Sequence, residues 1–467
     1  MPISQTVSYR SLFVGVDTQV PLLDGTKEKY INLDNAASTP ALKRVQAAID
    51  NFLPFYSSVH RGTGYKSQIS THLYEEARRL VLDFVGADTA EHVCIFGKNT
   101  TEAVNKLARR FPYPPGRDVV LVSQMEHHSN DLPWRKTATL IHIGVKPDGS
   151  LDEQDFDRLL GLYKDRLALV SISGASNVTG FINPIHRIAE KVHAAGAQIA
   201  VDCAQLAPHR AVHMLPLADP AHLDYVFLSA HKLYAPFGTG ALIGRRDTFA
   251  QGEPDMQGGG EVEIVTLDHV TWSEPPERDE AGSPNTVGAV AFAAAISQLT
   301  EVGMEKVAAH EAELTAYALE KLAGIHGIHI YGNCDPAQAA SRLGVIPINL
   351  DGFSHYLLAA ILGYEYGIGV RNGCFCAHPY LLFLMGVEET EAARVRDQIL
   401  TNDRREVPGM VRVSFGLYNE KEDIDNLVTA LKSIQKHEFK GVYDQDLPSG
   451  AFTPRGWISN FDNYFQF

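Results

Sequence analysis

The sequence predicts an α/β fold built on a mostly parallel sheet with helices on both faces, and three observations predict it. Between Glu91 and Gly244, short apolar stretches alternate with helical ones, the order expected of strand–helix–strand units. Asp224 to Ala230 reads as a short buried strand, closed by the turn glycines Gly238 and Gly240. After about residue 295 the pattern becomes mainly helical, with an isolated strand near Leu343 to Leu350, which predicts a smaller α+β part.

In chain order, residues 1–30 carry little periodic signal, and INLDNAASTP at 31–40 is extended and turns at Pro40, with a helix following to about Phe52. SSVHRGTGYKS at 57–67 is a polar loop of the kind that serves active sites or simply links elements. A helix is expected from Thr71 to about Phe84, stopping at Gly86. Strands are expected at His92–Phe96, Asp118–Ser123, Thr139–Ile143, Leu167–Ser171, Ala197–Val201 and Asp224–Leu228. Pro184 to Ala195 is a helix with proline at a favoured first position and Gly196 at its stop. Helices follow near 288–302 and 304–324, and the aromatic end GWISNFDNYFQF is expected to pack on the body of the protein or on a neighbour. The expected division is an N-terminal segment 1–50 packing with the small domain, a large domain 51–295, and a C-terminal small domain 296–467.

Composition narrows the class. The chain has 467 residues, 45% hydrophobic and 21% charged, ordinary values for a globular protein with a sizeable core. A net charge of −15 without a basic run argues against a nucleic-acid or anionic-membrane partner. No apolar stretch reaches the length of a membrane span, and MPISQTVSYR lacks the regions of a signal peptide, so a cytoplasmic location is expected. Five cysteines, an odd and sparse set, fit reduced thiols better than a disulfide framework.

The chemistry gathers around Lys232 in DYVFLSAHKLYAPFGTG, just past a strand end, where open α/β sheets hold ligands. Taken alone it could be a solvated loop lysine. GKNTTEAVNKLARR opens a helix with Asn99 as cap and Glu102 three residues on; Thr100 and Thr101 add hydroxyls to an N-terminus able to hold phosphate, or the helix is simply a capped one. QMEHHSNDLPW sets adjacent histidines after a strand, where an imidazole could stack on an aromatic cofactor or be structural; no other ligands cluster with them, and no metal is expected. AQIAVDCAQ ends a buried strand on Asp202, a carboxylate that needs a cation there, and Gln205 is one turn on. A protonated pyridine nitrogen would serve, so Asp202 with Lys232 points to pyridoxal phosphate, with Gln205 on the phenolic oxygen.

These residues, with INLDNAAST, VHRGTG, NTTEAVN, QMEHHSN, ASNVTG, DEAGSPNT, RNGCFCAHP and VRVSFGLYN in order from about residue 30 to 435, resemble the class V aminotransferase branch of fold-type I pyridoxal phosphate enzymes, and within it the group II cysteine desulfurases and selenocysteine lyases. The resemblance implies a seven-stranded, mostly parallel sheet in the large domain. It implies that Lys232 carries pyridoxal 5'-phosphate covalently, that Asp202 and Gln205 hold its ring, and that His127 stacks on it. Thr100, Thr101, Ser229 and His231 would hold phosphate, with Ser283 from a second subunit, so a homodimer is expected. Asn177 would touch cofactor or substrate, and His60, Arg371 and Arg412 the substrate. Cys376 matches the family's nucleophile, in a polar loop near two arginines whose planar forks suit a carboxylate.

The implied reaction converts L-cysteine to L-alanine and leaves a persulfide on Cys376 for a sulfur-acceptor protein or reductant. The alternatives on the same cofactor are a C–S lyase, transaminase, epimerase or molybdenum cofactor sulfurase-like sulfurtransferase. A scaffold that binds the cofactor without turnover is the reading from another class. Two departures from the common pattern stand out. Cys374 occupies a histidine-type position and is read as a packing residue, and the segment at about 381–410 is long and charged, with a helix expected beside the active-site mouth.

Overall fold

The computed structural model describes residues 8–466; the first residues of the predicted N-terminal segment, 1–7, and Phe467 lie outside it. Two helices precede the main sheet, α1 (Lys43–Phe52) and α2 (Tyr65–Phe84). The second begins six residues before the predicted Thr71, because YKSQIS continues the helical phase that buries Ser67, Ser70 and Tyr74.

Strands β1 (His92–Gly97), β2 (Val119–Ser123), β3 (Thr139–Ile143), β4 (Leu167–Ser173), β5 (Gln198–Asp202) and β6 (Tyr225–Ser229) match the six predicted strands. The sequence predicts only the turn at Gly238 and Gly240, where the structure has a seventh strand, β7 (Gly240–Arg245). It lies between β1 and β6, antiparallel to both, and the sheet order is β1-β7-β6-β5-β4-β2-β3 with the remaining pairings parallel. The seven-stranded, mostly parallel sheet expected from the resemblance is therefore present.

Both faces of this sheet are covered, as its continuous apolar strands require. Val120 and Val122 of β2 join one core with Val104 and Leu107 of helix α3 (Thr100–Arg110). Val119 and Leu121 point the other way, into a core shared with Ile188 and Val192 of α5 (Ile185–Ala194), which follows α4 (Glu153–Tyr163). The period of two divides each strand between the two cores. Each such aliphatic side chain contributes about 1.5–3 kcal/mol on full burial.

Helices α6 (Thr286–Val302) and α7 (Met304–Ala323) lead to a second sheet. Its strands β8 (Ile328–Ile330), β9 (Val345–Leu350), β10 (Arg371–Gly373) and β11 (Met410–Ser414) form an antiparallel sheet of order β8-β9-β11-β10. A separate core joins Ile346, Ile348, Val411 and Val413 to Leu314 and Leu319 of α7 and to Ile31 and Leu33 from the N-terminal segment. Ile31 and Asn32 pair in parallel with Ile368 and Gly369. The charged 381–410 segment forms a short helix at Glu389–Leu400, none of whose residues lines the cavity described below. In the aromatic tail Trp457 packs edge-on against Tyr364 at 5.2 Å, while Ile458, Phe461 and Tyr464 are exposed. Among the described residues, no single helix is long and apolar enough to cross a membrane. All five cysteines are unpaired.

Gly240 explains how β7 enters the sheet. A Cβ there would lie 2.6 Å from the Asn99 Cα and 2.7 Å from the Leu228 carbonyl oxygen, both backbone atoms that cannot swing aside. Gly240→Ala is expected to destabilise the protein by about 1–3 kcal/mol, read as a lower denaturant midpoint at unchanged slope. An unchanged midpoint would mean that the start of α3 yields without cost.

Candidate active site

The carboxyl ends of the parallel strands surround a cavity of about 200 Å³. Strand β6 runs through Ser229 into one turn of 3-10 helix, Ala230–Lys232, which delivers Lys232 to the cavity wall. Burial pushes the Lys232 amine down to about 8, against the opposing pull of Asp202. Asp202, at the end of β5, is 6% exposed, and its carboxylate accepts from the Ala204 N–H at 2.9 Å. Burial raises its pKa. A buried carboxylate with so few donors is suited to holding a cationic ring nitrogen. Gln205 lines the same wall and donates from Nε2 to the Ala36 carbonyl at 2.7 Å.

The N-terminus of α3 closes one end. The Asn99 side chain accepts from the Glu102 N–H at 3.1 Å, and Glu102 Oε2 accepts from the Lys98 N–H at 2.7 Å, so the return bond of the cap falls one residue earlier than in a regular capping box. Thr100 N–H donates to Ser229 Oγ at 3.0 Å, and Thr101 Oγ1 lies 2.7 Å from Ser129 Oγ. The buried Thr100 Oγ1 has no partner among the described residues. Helix N–H groups, the hydroxyls of Thr100, Thr101, Ser129 and Ser229, and His231 thus share one corner that fits an anionic group. His231 sits 3.3 Å from Ser38 Oγ, and burial lowers its pKa to about 4.

His127 stands opposite, after β2. The Ser129 N–H donates to its Nδ1 at 3.1 Å, which leaves the proton of the neutral ring on Nε2. Burial, aided by the Lys232 charge, lowers His127 to about 3, so the ring is neutral across the physiological range. Beneath it lies Glu126, absent from the sequence prediction. It accepts from Ser173 N–H at 3.0 Å, Ser173 Oγ at 2.6 Å and Asn130 Nδ2 at 2.7 Å, and burial raises it to about 7. The only signal for it was a carboxylate at the end of an apolar strand.

The second sheet supplies the opposite wall. After β10 the loop 374–378 carries Phe375 and Cys376 with φ of 52° and 56°, both left-handed. Non-glycine residues hold that conformation only when their surroundings impose it. Here Asn177 Nδ2 donates to the Phe375 carbonyl at 2.7 Å and the His128 N–H to the Cys376 carbonyl at 2.8 Å. Cys376 is exposed and borders both the cavity and a wider outer groove of about 590 Å³ that includes Arg109 and Lys136. Cys374 instead points its thiol at the Pro408 carbonyl, 3.5 Å away, and burial pushes it up to about 11.

Arg412 is buried, with Nη1 on the Asn177 carbonyl at 2.9 Å, Nη2 on Asp34 Oδ1 at 3.2 Å and its guanidinium 4.8 Å from the Phe375 ring centre. Burial lowers its pKa and Asp34 opposes the shift. Arg371, more than half exposed, reaches the same Asp34 at 3.9 Å. Asp34, also unpredicted, is therefore the carboxylate that both arginines reach. All the predicted residues line the cavity except two. His60 lies apart, 3.1 Å from Glu75 through Nε2, and Ser283 belongs to the 281–285 turn beside a second cavity.

A doubly covered α/β sheet, a buried lysine–carboxylate pair at its carboxyl edge and a thiol facing them from a second sheet define an amino-acid-transforming enzyme of the class V aminotransferase type. The chain belongs to the aminotransferase class-V family, whose model matches residues 31–427. It is 36% identical over 436 residues, covering 90% of this chain and 98% of the relative, to a cysteine desulfurase of Serratia proteamaculans. It is 34% identical over 413 residues, 86% and 91% of the two chains, to a probable cysteine desulfurase of Halobacterium salinarum. The apo structure of a cysteine desulfurase from Thermococcus onnurineus covers 93% of this chain and all of that one, with a TM-score of 0.76 and 30% identity. A cysteine desulfurase from Escherichia coli gives a TM-score of 0.74 at 27% identity over 92% and 98% of the chains.

Proposed function

We propose that this chain is a pyridoxal phosphate-dependent cysteine desulfurase that converts L-cysteine to L-alanine and stores the released sulfur as a persulfide on Cys376. The observation that carries this reading is the position of Cys376, a thiol whose loop opens both to the Lys232 cavity and to the outer groove. A group there can take sulfur from inside and offer it outside.

Residues 51–295 would hold the cofactor, and residues 296–467 would present the cysteine loop. Asp202 would pair with the ring nitrogen and Gln205 with the phenolic oxygen. Thr100, Thr101, Ser229 and His231 would take the phosphate, and His127 would lie on the ring. Bound there, pyridoxal phosphate supplies an electron sink for bonds at the α-carbon of an amino acid. Lys232 would anchor it and, once displaced by substrate, remove the α-proton; its lowered pKa leaves a usable fraction of free amine near neutrality. Arg412 and Arg371 would exchange Asp34 for the substrate carboxylate, a planar two-oxygen match. His127, neutral and protonated on Nε2, is able to pass a proton at the substrate sulfur. The Cys376 thiolate then attacks that sulfur, forming an S–S bond as the C–S bond breaks. The electron pair remains on carbon, which gains a proton and leaves as alanine. Lys136 gives the groove positive charge for an acidic acceptor protein, while Arg109 is paired with Asp255 at 2.6 Å. Ser283 and His60, outside this chain's own cavity, support a homodimer in which each chain completes the other's site.

The test is alanine and sulfide formation from L-cysteine with a thiol reductant. Alanine and sulfur in equal amounts support desulfuration; pyruvate and ammonia in their place would indicate a C–S lyase. A further expectation concerns pH. Only the neutral Lys232 amine can bond to the cofactor, so reloading of cofactor-free protein should speed up about tenfold per pH unit below 8 and level off above it. Stopped-flow absorbance would show this, and a flat profile from pH 6 upward would contradict it.

A further inference from the structure

The loop that carries Cys376 also sets an aromatic ring against the arginine that would grip the substrate. Phe375 is 7% exposed and lines the Lys232 cavity, and the Arg412 guanidinium carbon stands over its ring, 4.8 Å from the centre. One residue fixes both partners. Asn177 donates from Nδ2 to the Phe375 carbonyl at 2.7 Å, and its own carbonyl accepts from Arg412 Nη1 at 2.9 Å.

Arg412 is 3% exposed, and the use it makes of its nitrogens is uneven. Nη1 is taken by Asn177, and Nη2 reaches Asp34 Oδ1 at 3.2 Å. Nε is buried and has no partner among the described residues. Nε and Nη2 share one edge of the guanidinium, and two parallel N–H groups on one edge are what a carboxylate accepts. Burying a donor without an acceptor is costly, so this edge suits a ligand that brings two oxygens. The face of a ring attracts the cation through its quadrupole and takes none of the in-plane donors. It also keeps water from one side of the guanidinium, which strengthens the pull on an incoming carboxylate. Arg371, more than half exposed, has no ring over it among the described residues, so the preset grip is that of Arg412.

We propose that Phe375 is a positioning residue for the substrate carboxylate: its ring holds the Arg412 guanidinium with the Nε–Nη2 edge free for two oxygens, and so makes the site discriminate α-amino acids from amines without a carboxyl group. This role rests on the reading of the Lys232 cavity as an amino-acid site, not on the fate of the sulfur.

The cofactor-loaded protein is titrated with L-alanine and with ethylamine, its counterpart without a carboxyl group, and the change in cofactor absorbance gives each affinity. Phe375→Leu keeps an apolar side chain and removes the ring face. It should weaken L-alanine binding about 3- to 30-fold and leave that of ethylamine within about twofold. Phe375→Tyr, which restores a ring, should bind both ligands as the natural protein does. Equal weakening of both ligands, or of neither, would overturn the proposal, because a residue that only packs the loop cannot tell them apart. So would a natural protein that binds L-alanine no more tightly than ethylamine. Should Phe375→Leu fail to fold, phenylalanine bearing one, two or three fluorines at position 375 keeps the shape and depletes the ring face. L-Alanine affinity should then fall stepwise with fluorine number, and a flat series would equally overturn the proposal. A protein that shows this discrimination yet makes no alanine from L-cysteine would refute the desulfurase reading alone.

Discussion

Cys376→Ala is expected to lower alanine formation from L-cysteine by at least about 1000-fold while leaving cofactor absorbance and thermal stability unchanged. The two halves of this expectation have separate causes. The side chain is exposed, so its removal opens no cavity in the core, and the left-handed φ of 56° is as tolerable for alanine as for cysteine. The loop is held by its carbonyls, through Asn177 Nδ2 and the His128 N–H, and neither bond involves the thiol. What disappears is the acceptor for the substrate sulfur. Mass spectrometry of the natural protein after cysteine should show one added sulfur on the 376 peptide and none on Cys374, whose raised pKa keeps it a thiol. Full alanine production by the variant would remove Cys376 from the mechanism and require a different acceptor for the sulfur.

Lys232→Ala should have the larger effect, a loss of at least about four orders of magnitude, because the same amine anchors the cofactor and carries the α-proton. Borohydride reduction should fix the cofactor on the 232 peptide of the natural protein and on no peptide of the variant. The substitution also removes the cation nearest to Asp202, a carboxylate already raised by burial. Asp202 would then protonate more readily, and the variant's affinity for the cofactor ring should fall as well. A variant that retained turnover would place the essential base elsewhere, and His127 would be the residue to examine, although its neutral ring and pKa near 3 make it a weak base.

The extent to which all this was legible follows from the range of each interaction. Six of the sheet's strands, the cap at Asn99 and the order of the motifs depend on neighbours a few residues apart, and local apolar period and turn chemistry express such dependences directly. Family motifs then named Lys232, Asp202 and Cys376 in turn. Strand β7 was hidden because its place between β1 and β6 depends on a backbone approach at Gly240, and no pattern within GALIGR encodes its antiparallel direction.

The sequence by itself therefore determined the α/β class, the family and the identity of the chemical groups. Tertiary structure alone decided which groups meet. Arg412 finds Asp34 across 378 residues, and Asn177 holds the Phe375 carbonyl across 198. Such pairs form because two separately packed cores bring distant loops to one edge. The energy that holds them there is the burial of side chains that take no part in the chemistry.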